Sequence, residues 1–497
     1  MNRFPHSTLT IIVGGLLCAF YLYGCSGNIG QAEQINRLPD IFPDYTNVTI
    51  PVNIAPLNFG LPNDCEKMKV QFLHDGQVLL KSSGRQDIKI PVGAWHSMLQ
   101  QVAGSTLQVQ VYARQTGKWY AYQPFNIHVA SDSIDPYIAY RLIEPGYSLW
   151  GRMGIYQRKL SNFDESVIIA NQLTGNNCVN CHSFHNYKPD RMMFHSRGEK
   201  FAGTFLLADG KTRRVNTKTE QAATAGTYPM WHPSGDYIVF SANSTNQVFH
   251  AITGKKIEVY DVGSDLVVWD IKNDAMLRDA RFTTQEIWET FPAWSPDGRW
   301  LYYCAAEEKT MPSGSEQLMY GLYRVNFDAA TFRFGEQVDT IVNPATSGKS
   351  VSFPRLSPDG QYLLYTVSAY ATFPIWHKEA DLEMIDLRNN STVDLQTINS
   401  NDADSYHAWS SNGRWIVFSS RRIDGLYTFL FFAYFDSSGR VHKPFLLPQK
   451  DSKFYPCQLK SYNIPEFVKG KVEISPYEIS KALGGTTVSL KEIIHEK

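Results

Sequence analysis

The chain has 497 residues, which is enough for two or three domains with well-filled cores. Its formal net charge is −1, so the composition predicts neither a basic surface for nucleic acid nor a polybasic membrane patch. Charged residues make up only 19 % of the chain and aromatic residues 13 %, a balance that favours a β-rich protein outside the cytoplasm.

Residues 1–24 are predicted to be a lipoprotein signal peptide. The apolar run 9–23 is short for a membrane span and ends at Gly24-Cys25, which resembles a lipoprotein processing site. Acyl chains on Cys25 would hold the protein at a bacterial membrane, in the periplasm or cell envelope. An ordinary signal peptide and an uncleaved anchor are the alternatives, because Tyr23 is larger than the residue usual at that place.

Three segments follow before the first chemical motif. Residues 25–40 are polar and small, which is typical of a tether. Residues 41–132 alternate between apolar and polar side chains, with turn signals such as Asp75-Gly76, and predict an immunoglobulin-like β-sandwich. Residues 133–177 combine turn formers with many aromatic residues, and we expect a connecting segment that packs across the domain junction.

The stretch Cys178-Val179-Asn180-Cys181-His182 is typical of covalent haem attachment. The thiols of Cys178 and Cys181 would form thioether bonds to one haem c, and His182 would be the axial iron ligand. Half of a zinc site is an alternative, but the second cysteine pair is missing. A thioredoxin-like pair would need a βαβ context, and a disulfide would close a very short ring.

The second axial ligand is left open by the sequence. A methionine there would raise the reduction potential relative to a histidine, and a five-coordinate iron would permit peroxide or small-gas chemistry. For Met192 and Met193, packing inside a strand is the simpler explanation for at least one of them, and a solvent-facing role is the simpler one for His232. The candidates near the motif are Met192, Met193, His185 and His195, and those from adjoining segments are Met153, Met230 and His232.

A repeat becomes visible after the motif. Proline and aspartate in its turn favour a type I turn, and the glycine after them can adopt positive φ. The copies start about 50 to 60 residues apart, which is the period of a propeller blade with long loops. The four segments are Tyr228-Pro229-Met230-Trp231-His232-Pro233-Ser234-Gly235, Phe291-Pro292-Ala293-Trp294-Ser295-Pro296-Asp297-Gly298, Phe353-Pro354-Arg355-Leu356-Ser357-Pro358-Asp359-Gly360 and Tyr406-His407-Ala408-Trp409-Ser410-Ser411-Asn412-Gly413.

These repeats resemble the TolB-type, WD-like β-propeller family over residues 178–460, and the signature specifies a fold without a reaction. Two copies depart from it, since Leu356 replaces tryptophan and Ser411-Asn412 replaces Pro-Asp. The order of segments also looks like a group of bacterial lipoproteins that carry a haem-binding motif.

The haem motif itself has the layout of a repeat, with Phe184 near the tryptophan position and Lys188-Pro189-Asp190 in the turn. The sequence therefore predicts an all-β fold in which the β-sandwich is followed by a propeller over residues 178–497. The haem motif is expected in its first blade. Six blades are the best count, with five or seven as alternatives.

Two functions follow from these observations. The first is a membrane-tethered c-type haem protein outside the cytoplasm, for electron transfer or small redox chemistry with a periplasmic redox protein or an envelope protein. The second is a non-enzymatic scaffold, similar to TolB-like propellers, that recognises a protein or an envelope polysaccharide and in which the cysteine pair is structural. No Gly-x-Ser-x-Gly elbow or clustered triad favours a hydrolase, and no catalytic residue is assigned.

Overall fold

The computed structural model describes residues 32–62, 65–144, 151–218, 224–252 and 255–495. The predicted signal peptide 1–24, the lipidation residue Cys25 and the first part of the predicted tether lie outside these residues. Within the described ranges no helix is both long enough and apolar enough to cross a bilayer. Strands make up about half of the described residues and helices very few, which confirms the predicted all-β class.

The N-terminal domain contains one seven-stranded sheet and the helix Val92–Gln101. The strand Thr106–Gln115 pairs with Lys67–His74 along one edge and with both of the following strands along the other. Backbone hydrogen bonds therefore join all seven strands, and the predicted two-sheet sandwich is not confirmed. The strands are Glu33–Ile35, Thr49–Pro51, Lys67–His74, Gln77–Gly84, Thr106–Gln115, Lys118–Tyr122 and Phe125–Ala130.

Six further sheets form a six-bladed β-propeller, as predicted. In blades 2 to 6 four strands follow one another in the chain, innermost first, and each pairs antiparallel with the next. Blade 2 consists of Cys178–Phe184, Met192–Arg197, Gly203–Ala208 and Lys211–Asn216, and blade 3 of Thr227–Trp231, Tyr237–Ser241, Leu266–Asp270 and Ala275–Asp279. Blade 4 consists of Ile287–Trp294, Trp300–Glu307, Gly321–Asp328 and Arg333–Val342. Blade 5 consists of Ser350–Leu356, Tyr362–Ser368, Asp381–Asp386 and Ser391–Val393, and blade 6 of Asp404–Trp409, Trp415–Ser420, Phe429–Tyr434 and Phe445–Leu446.

Blade 1 closes the ring with strands from both ends of the propeller sequence. Its three outer strands are Tyr137–Ile143, Gly154–Lys159 and Glu165–Ala170, and its innermost strand is Ser461–Val468. The predicted connecting segment 133–177 therefore contains most of a blade. Its innermost strand lies near the other end of the chain, so no local repeat marks the blade in the sequence.

The remaining elements lie outside the four-stranded cores of the blades. The helix Pro476–Leu483 begins with a capping box between Ser475 and Glu478. Two C-terminal strands, Thr487–Ser489 and Lys491–His495, add parallel to the outer strands of blades 2 and 3. A hairpin of Ser244–Ile252 and Lys255–Gly263 is inserted in blade 3. The short helical turns are Asn171–Thr174, His185–Tyr187, Ala280–Phe282, Ser315–Gln317, Pro344–Ser347, Pro374–Trp376 and Tyr455–Cys457.

The repeated turns have the predicted chemistry. In blade 4 the Ser295 hydroxyl donates to the Asp297 carboxylate at 2.5 Å, and Ser295 Oγ accepts from the Trp300 amide at 3.0 Å. Gly298 has a φ of 72°, a left-handed conformation that costs glycine little. Ser357 and Asp359 repeat the contact in blade 5. This turn returns each innermost strand to its neighbour in the same way.

Each innermost strand contains one bulged residue with left-handed backbone, and the pairing register shifts there. A bulge redirects the side chain, and here all six residues come to surround the propeller axis. The bulge aligns Cys181 of the haem motif with aromatic residues of the other blades. The six bulged residues, from blade 1 to blade 6, are Ile464, Cys181, Tyr228, Phe291, Phe353 and Tyr406.

Candidate functional site

Four aromatic residues of this ring block the central channel. The ring centroids of Phe291 lie 4.5 Å from Tyr228 and 4.1 Å from Phe353, and Phe353 lies 5.0 Å from Tyr406. Cys181 is smaller than the aromatic residues at the equivalent positions of blades 3 to 6. A cavity of about 40 Å³ lies beside it, room for on the order of three waters.

A wider cavity of about 300 Å³ continues the channel towards the repeated turns, and we call it the funnel. All six blades contribute to it. Its walls include Trp231, Trp294 and Trp409, whose indole N–H groups donate to backbone carbonyls of the preceding blade at 3.2 to 3.3 Å. These bonds hold the aromatic walls in place. The other lining residues are Ser183, Phe184, Asn186, Tyr187, Met230, Pro233, Ala293, Ser295, Pro296, Arg355, Leu356, Pro358, Ala408, Glu466 and Phe467.

Arg355 and Glu466 are the charged residues that line both the small cavity and the funnel. A Glu466 oxygen accepts from the Phe184 amide at 3.0 Å, and Arg355 Nη1 donates to the Pro354 carbonyl at 2.8 Å. Burial raises the pKa of Glu466 to about 8, although the positive charge of Arg355 opposes this shift. At neutral pH Glu466 is therefore mostly protonated, and a guanidinium keeps its charge. The channel wall consequently carries positive charge there.

The predicted haem motif lies in the innermost strand of blade 2. Cys178 packs in a hydrophobic cluster with Met153 and Ile155 of blade 1, whereas Cys181 faces the small cavity. Both thiols are free, and burial raises the pKa of Cys178. Cys178 is 8 % exposed and Cys181 is 4 % exposed, so neither thiol is open to solvent.

His182 also faces the small cavity and is 2 % exposed. Among the described residues neither ring nitrogen has a partner in hydrogen-bond geometry, although backbone groups of Ala139 and Ile464 lie close enough to raise its pKa. Burial, assisted by the charge of Arg141, outweighs them and lowers the pKa of His182 to about 3. The imidazole is therefore neutral at physiological pH.

The residue types of Cys178, Cys181 and His182 fit covalent haem attachment, but their positions in the fold do not. Two free thiols and a neutral imidazole are the groups that the chemistry needs. However, residues three apart in a strand lie about 10 Å apart along the chain, and only Cys181 of the pair lines the cavity. A space of about 40 Å³ cannot hold a macrocycle. In this conformation the motif does not bring both sulfurs to one haem.

The structure separates the candidate distal ligands from His182. Met192 lies in the hydrophobic cluster between blades 1 and 2, and Met193 in that between blades 2 and 3. His185 Nε2 lies 2.9 Å from the Pro233 carbonyl oxygen, at the turn end of the blade.

The other candidate distal ligands also make contacts away from His182. His232 Nε2 lies 2.9 Å from the Gly298 carbonyl oxygen, and His195 Nδ1 lies 2.8 Å from Thr204 Oγ1. Met153 is buried in the same hydrophobic cluster as Cys178, and Met230 lines the funnel. No group of three or more His, Cys, Asp or Glu residues within the described ranges is arranged to hold a metal ion.

Sequence reasoning did not single out Arg355 and Glu466. Both occupy the second position after the bulge, where the other blades have Ser183, Met230, Ala293 and Ala408. The signal was present in the tetrapeptide Ile464-Pro465-Glu466-Phe467, which is a degenerate sixth copy of the repeat. Aligning it with the other copies would have shown two charged residues at a position that faces the channel.

No family model matches the chain, and no curated protein matches it. Among solved structures it is similar to a puromycin-hydrolysing peptidase of Mycobacterium tuberculosis, at 12 % identity over 70 % of this chain, with a TM-score of 0.33. The chain spans about half (52 %) of that peptidase. An oligogalacturonate lyase from Vibrio parahaemolyticus matches at 11 % identity over 58 % of this chain and 85 % of its own, with a TM-score of 0.33.

A DUF4784 family protein from Bacteroides caccae matches at 8 % identity over 73 % of this chain and 97 % of its own, with a TM-score of 0.29. Likenesses at this level carry no argument about the activity of the chain.

Proposed function

We propose that this protein is a non-enzymatic β-propeller scaffold that binds a partner molecule, an envelope protein or polysaccharide, through the funnel. The funnel itself carries this proposal. Its volume of about 300 Å³ is at the lower end of the range for ligand sites, and apolar walls with a few polar groups are typical of such sites. We further propose that the chain is exported and held at a membrane by lipid on Cys25, on the evidence of its N-terminal sequence.

The walls of the funnel are suited to hold one end of a partner. The tryptophan rings are fixed by hydrogen bonds to the neighbouring blade, so little side-chain entropy is lost when a ligand packs on them. Arg355 supplies a single positive charge beside these apolar surfaces. A ligand with an aromatic or apolar body and a negative group matches this arrangement.

Binding to the funnel can be tested with 8-anilinonaphthalene-1-sulfonate, a dye with fused rings and a sulfonate. We expect saturable binding at one site, and we expect Ala408→Phe and Arg355→Gln each to weaken it at least tenfold. The first variant fills the funnel and the second removes its positive charge. Dye fluorescence gives the affinity, and thermal unfolding shows that each variant is folded.

Ala345→Phe is the matched control, because Ala345 is exposed in the short helix Pro344–Ser347, outside the funnel. This control should bind the dye like the unmodified protein. Equal affinities in all three variants would mean that the dye binds elsewhere, and the funnel would lose its role.

A second candidate function is redox chemistry on a covalently attached haem, with a periplasmic redox partner. The observation in its favour is the buried His182 ring, which has no partner in hydrogen-bond geometry within the described ranges and follows the free thiol of Cys181. Haem would supply one-electron chemistry, with Cys178 and Cys181 as attachment points and His182 as iron ligand. The strand Cys178–Phe184 would have to leave its present conformation to bring both thiols to one side.

The haem hypothesis makes its own prediction for protein purified from its native envelope. A c-type haem survives denaturing electrophoresis, stains for peroxidase activity and gives a sharp α band when reduced. Replacing Cys178 and Cys181 with alanine should then abolish the colour while thermal unfolding of the propeller persists. Colourless protein from a host with cytochrome c maturation eliminates the redox function.

A further inference from the structure

A second cavity lies outside the central channel, at the end of blade 2 opposite its repeated turn. It has a volume of about 430 Å³ and is lined by the ends of the outer three strands of the blade, and we call it the basic cavity. Its lining contains three cationic side chains and, among the described residues, no carboxylate. The lining residues are His195, Ser196, Arg197, Gly198, Ala202, Gly203, Arg214, Asn216, Thr217, Lys218, Ala225 and Thr487.

Arg214 of this cavity contacts neutral backbone groups, and Arg197 has an unpaired guanidinium nitrogen within the described residues. Arg214 Nε donates to the Ala202 carbonyl at 2.8 Å, and its Nη1 donates to the Gly485 carbonyl at 3.4 Å. Arg197 Nη2 is buried and has no hydrogen-bond partner within the described part of the chain. Two half-buried arginines around one cavity repel each other unless an anion compensates their charges.

A buried histidine adds an independent observation. His195 is 2 % exposed, and its Nε2 has no partner among the described residues. Its Nδ1 lies 2.8 Å from Thr204 Oγ1, which lies 3.1 Å from Thr217 Oγ1. If the Thr217 hydroxyl donates to Thr204 and Thr204 donates to Nδ1, the ring proton resides on Nε2. In that tautomer the single ring N–H, on Nε2, is the donor that remains without a partner among the described residues.

We propose that the basic cavity binds an oxyanion group, a phosphate or a carboxylate, between Arg197 and Arg214, with His195 as an additional donor. The planar fork of arginine matches both groups, since each presents two oxygens side by side. Lys218 is exposed at the rim and adds positive charge. The site is separate from the funnel, so this inference does not depend on the proposed function.

Titration calorimetry of the full chain with inorganic phosphate and, separately, with acetate shows whether the basic cavity binds a phosphate or a carboxylate. We expect one of the two anions to bind at a single site. Arg197→Gln and Arg214→Gln should each weaken that binding at least tenfold, and His195→Gln should weaken it by a smaller factor. The affinity should also fall as sodium chloride is added, because the contact is ionic.

Lys211→Gln is the matched control, because it removes one positive charge at the start of the strand that carries Arg214, outside the cavity. It should change the affinity less than twofold. Arg214 is only half-buried, so its variant tests the site even where Arg197→Gln destabilises the fold. No saturable binding of either anion, or equal weakening by Lys211→Gln and Arg214→Gln, overturns the proposal. Dye binding should be unchanged in Arg214→Gln, which would show that the substitution affects the basic cavity and leaves the funnel intact.

Discussion

A chain that ends at Lys460 should not form the propeller. It lacks the strand Ser461–Val468, which is the innermost strand of blade 1 and joins the two ends of the ring. The side chains of Tyr462, Phe467 and Val468 are each 1 % exposed. Their burial stabilises the fold by about 4.5 to 9 kcal/mol, at roughly 1.5 to 3 kcal/mol for each side chain. The total stability of a domain is about 5 to 15 kcal/mol.

Removing the strand Ser461–Val468 also breaks hydrogen bonds that residues in or beside blade 6 make with it. The Tyr462 carbonyl accepts hydrogen bonds from Ser419 Oγ at 2.9 Å and from Thr428 Oγ1 at 2.8 Å, both in or beside blade 6. Without the strand these buried hydroxyl groups lose their acceptor, which costs more than the bonds themselves contribute. We expect the truncated chain to lose the cooperative thermal transition, as measured by circular dichroism.

Two further variants separate the closing strand from the rest of the C-terminal tail. A chain that ends at Gly485 loses only the outer strands Thr487–Ser489 and Lys491–His495, in which Ile494 is 49 % exposed, and it should unfold cooperatively. Phe467→Ala keeps the whole tail and should cost about 3 to 5 kcal/mol, as is usual for a buried phenylalanine. Cooperative unfolding of the chain that ends at Lys460 would contradict the role of the closing strand.

The same strand shows where sequence reasoning reaches its limit. Blades 3 to 6 could be predicted because each contains a turn such as Ser295-Pro296-Asp297-Gly298. The conformation of such a turn is determined by residues that are adjacent in the sequence. Blade 1 could not, because Tyr137–Ile143 pairs with Ser461–Val468, and no local pattern reports a pairing across the whole propeller. In the N-terminal domain the alternation predicts strands, but it does not reveal that Thr106–Gln115 joins them into one sheet.

The haem motif illustrates a different limit. Cys178-x-x-Cys181-His182 predicts haem through the side chains alone, without regard to the backbone that carries them. The repeat around it imposes a strand with a bulge at Cys181, and the strand places Cys178 and Cys181 in different surroundings. The alignment of Phe184 with the tryptophan position already indicated this strand. The two signals of one segment favour different structures, and the spectrum of the native protein decides between them.

Glu466 should make the stability of the propeller fall as the pH rises from about 5 to 8. Burial raises its pKa to about 8 in the folded state, against an ordinary value of 4.5 for a glutamate. Between these two values the unfolded chain releases the proton while the folded protein keeps it, so ionisation favours the unfolded state. The free energy of unfolding therefore decreases by up to about 1.4 kcal/mol for each pH unit. The stabilisation is complete below pH 4.5 and is lost as the pH passes 8.

Glu466→Gln removes this dependence while keeping an oxygen that can accept from the Phe184 amide. Urea denaturation at pH 5, 6, 7 and 8 should show that the stability difference between the two proteins changes by about 3 to 4 kcal/mol over this range. Other titrating groups such as Asp261, whose pKa burial raises to about 6, are present in both proteins and cancel in the difference. Glu473→Gln is the control, because it makes the same substitution at an exposed position outside the funnel.

Arg355 provides a second check on the same group. Its charge lowers the pKa of Glu466 against the effect of burial, so Arg355→Gln should extend the loss of stability to higher pH. Parallel profiles for the unmodified protein and Glu466→Gln would mean that the carboxylate is already ionised in the folded channel. In that case the funnel would carry paired charges of opposite sign, and an anionic dye would not be attracted by Arg355. The pH profile of Glu466 therefore decides which ligand charge the funnel can accept.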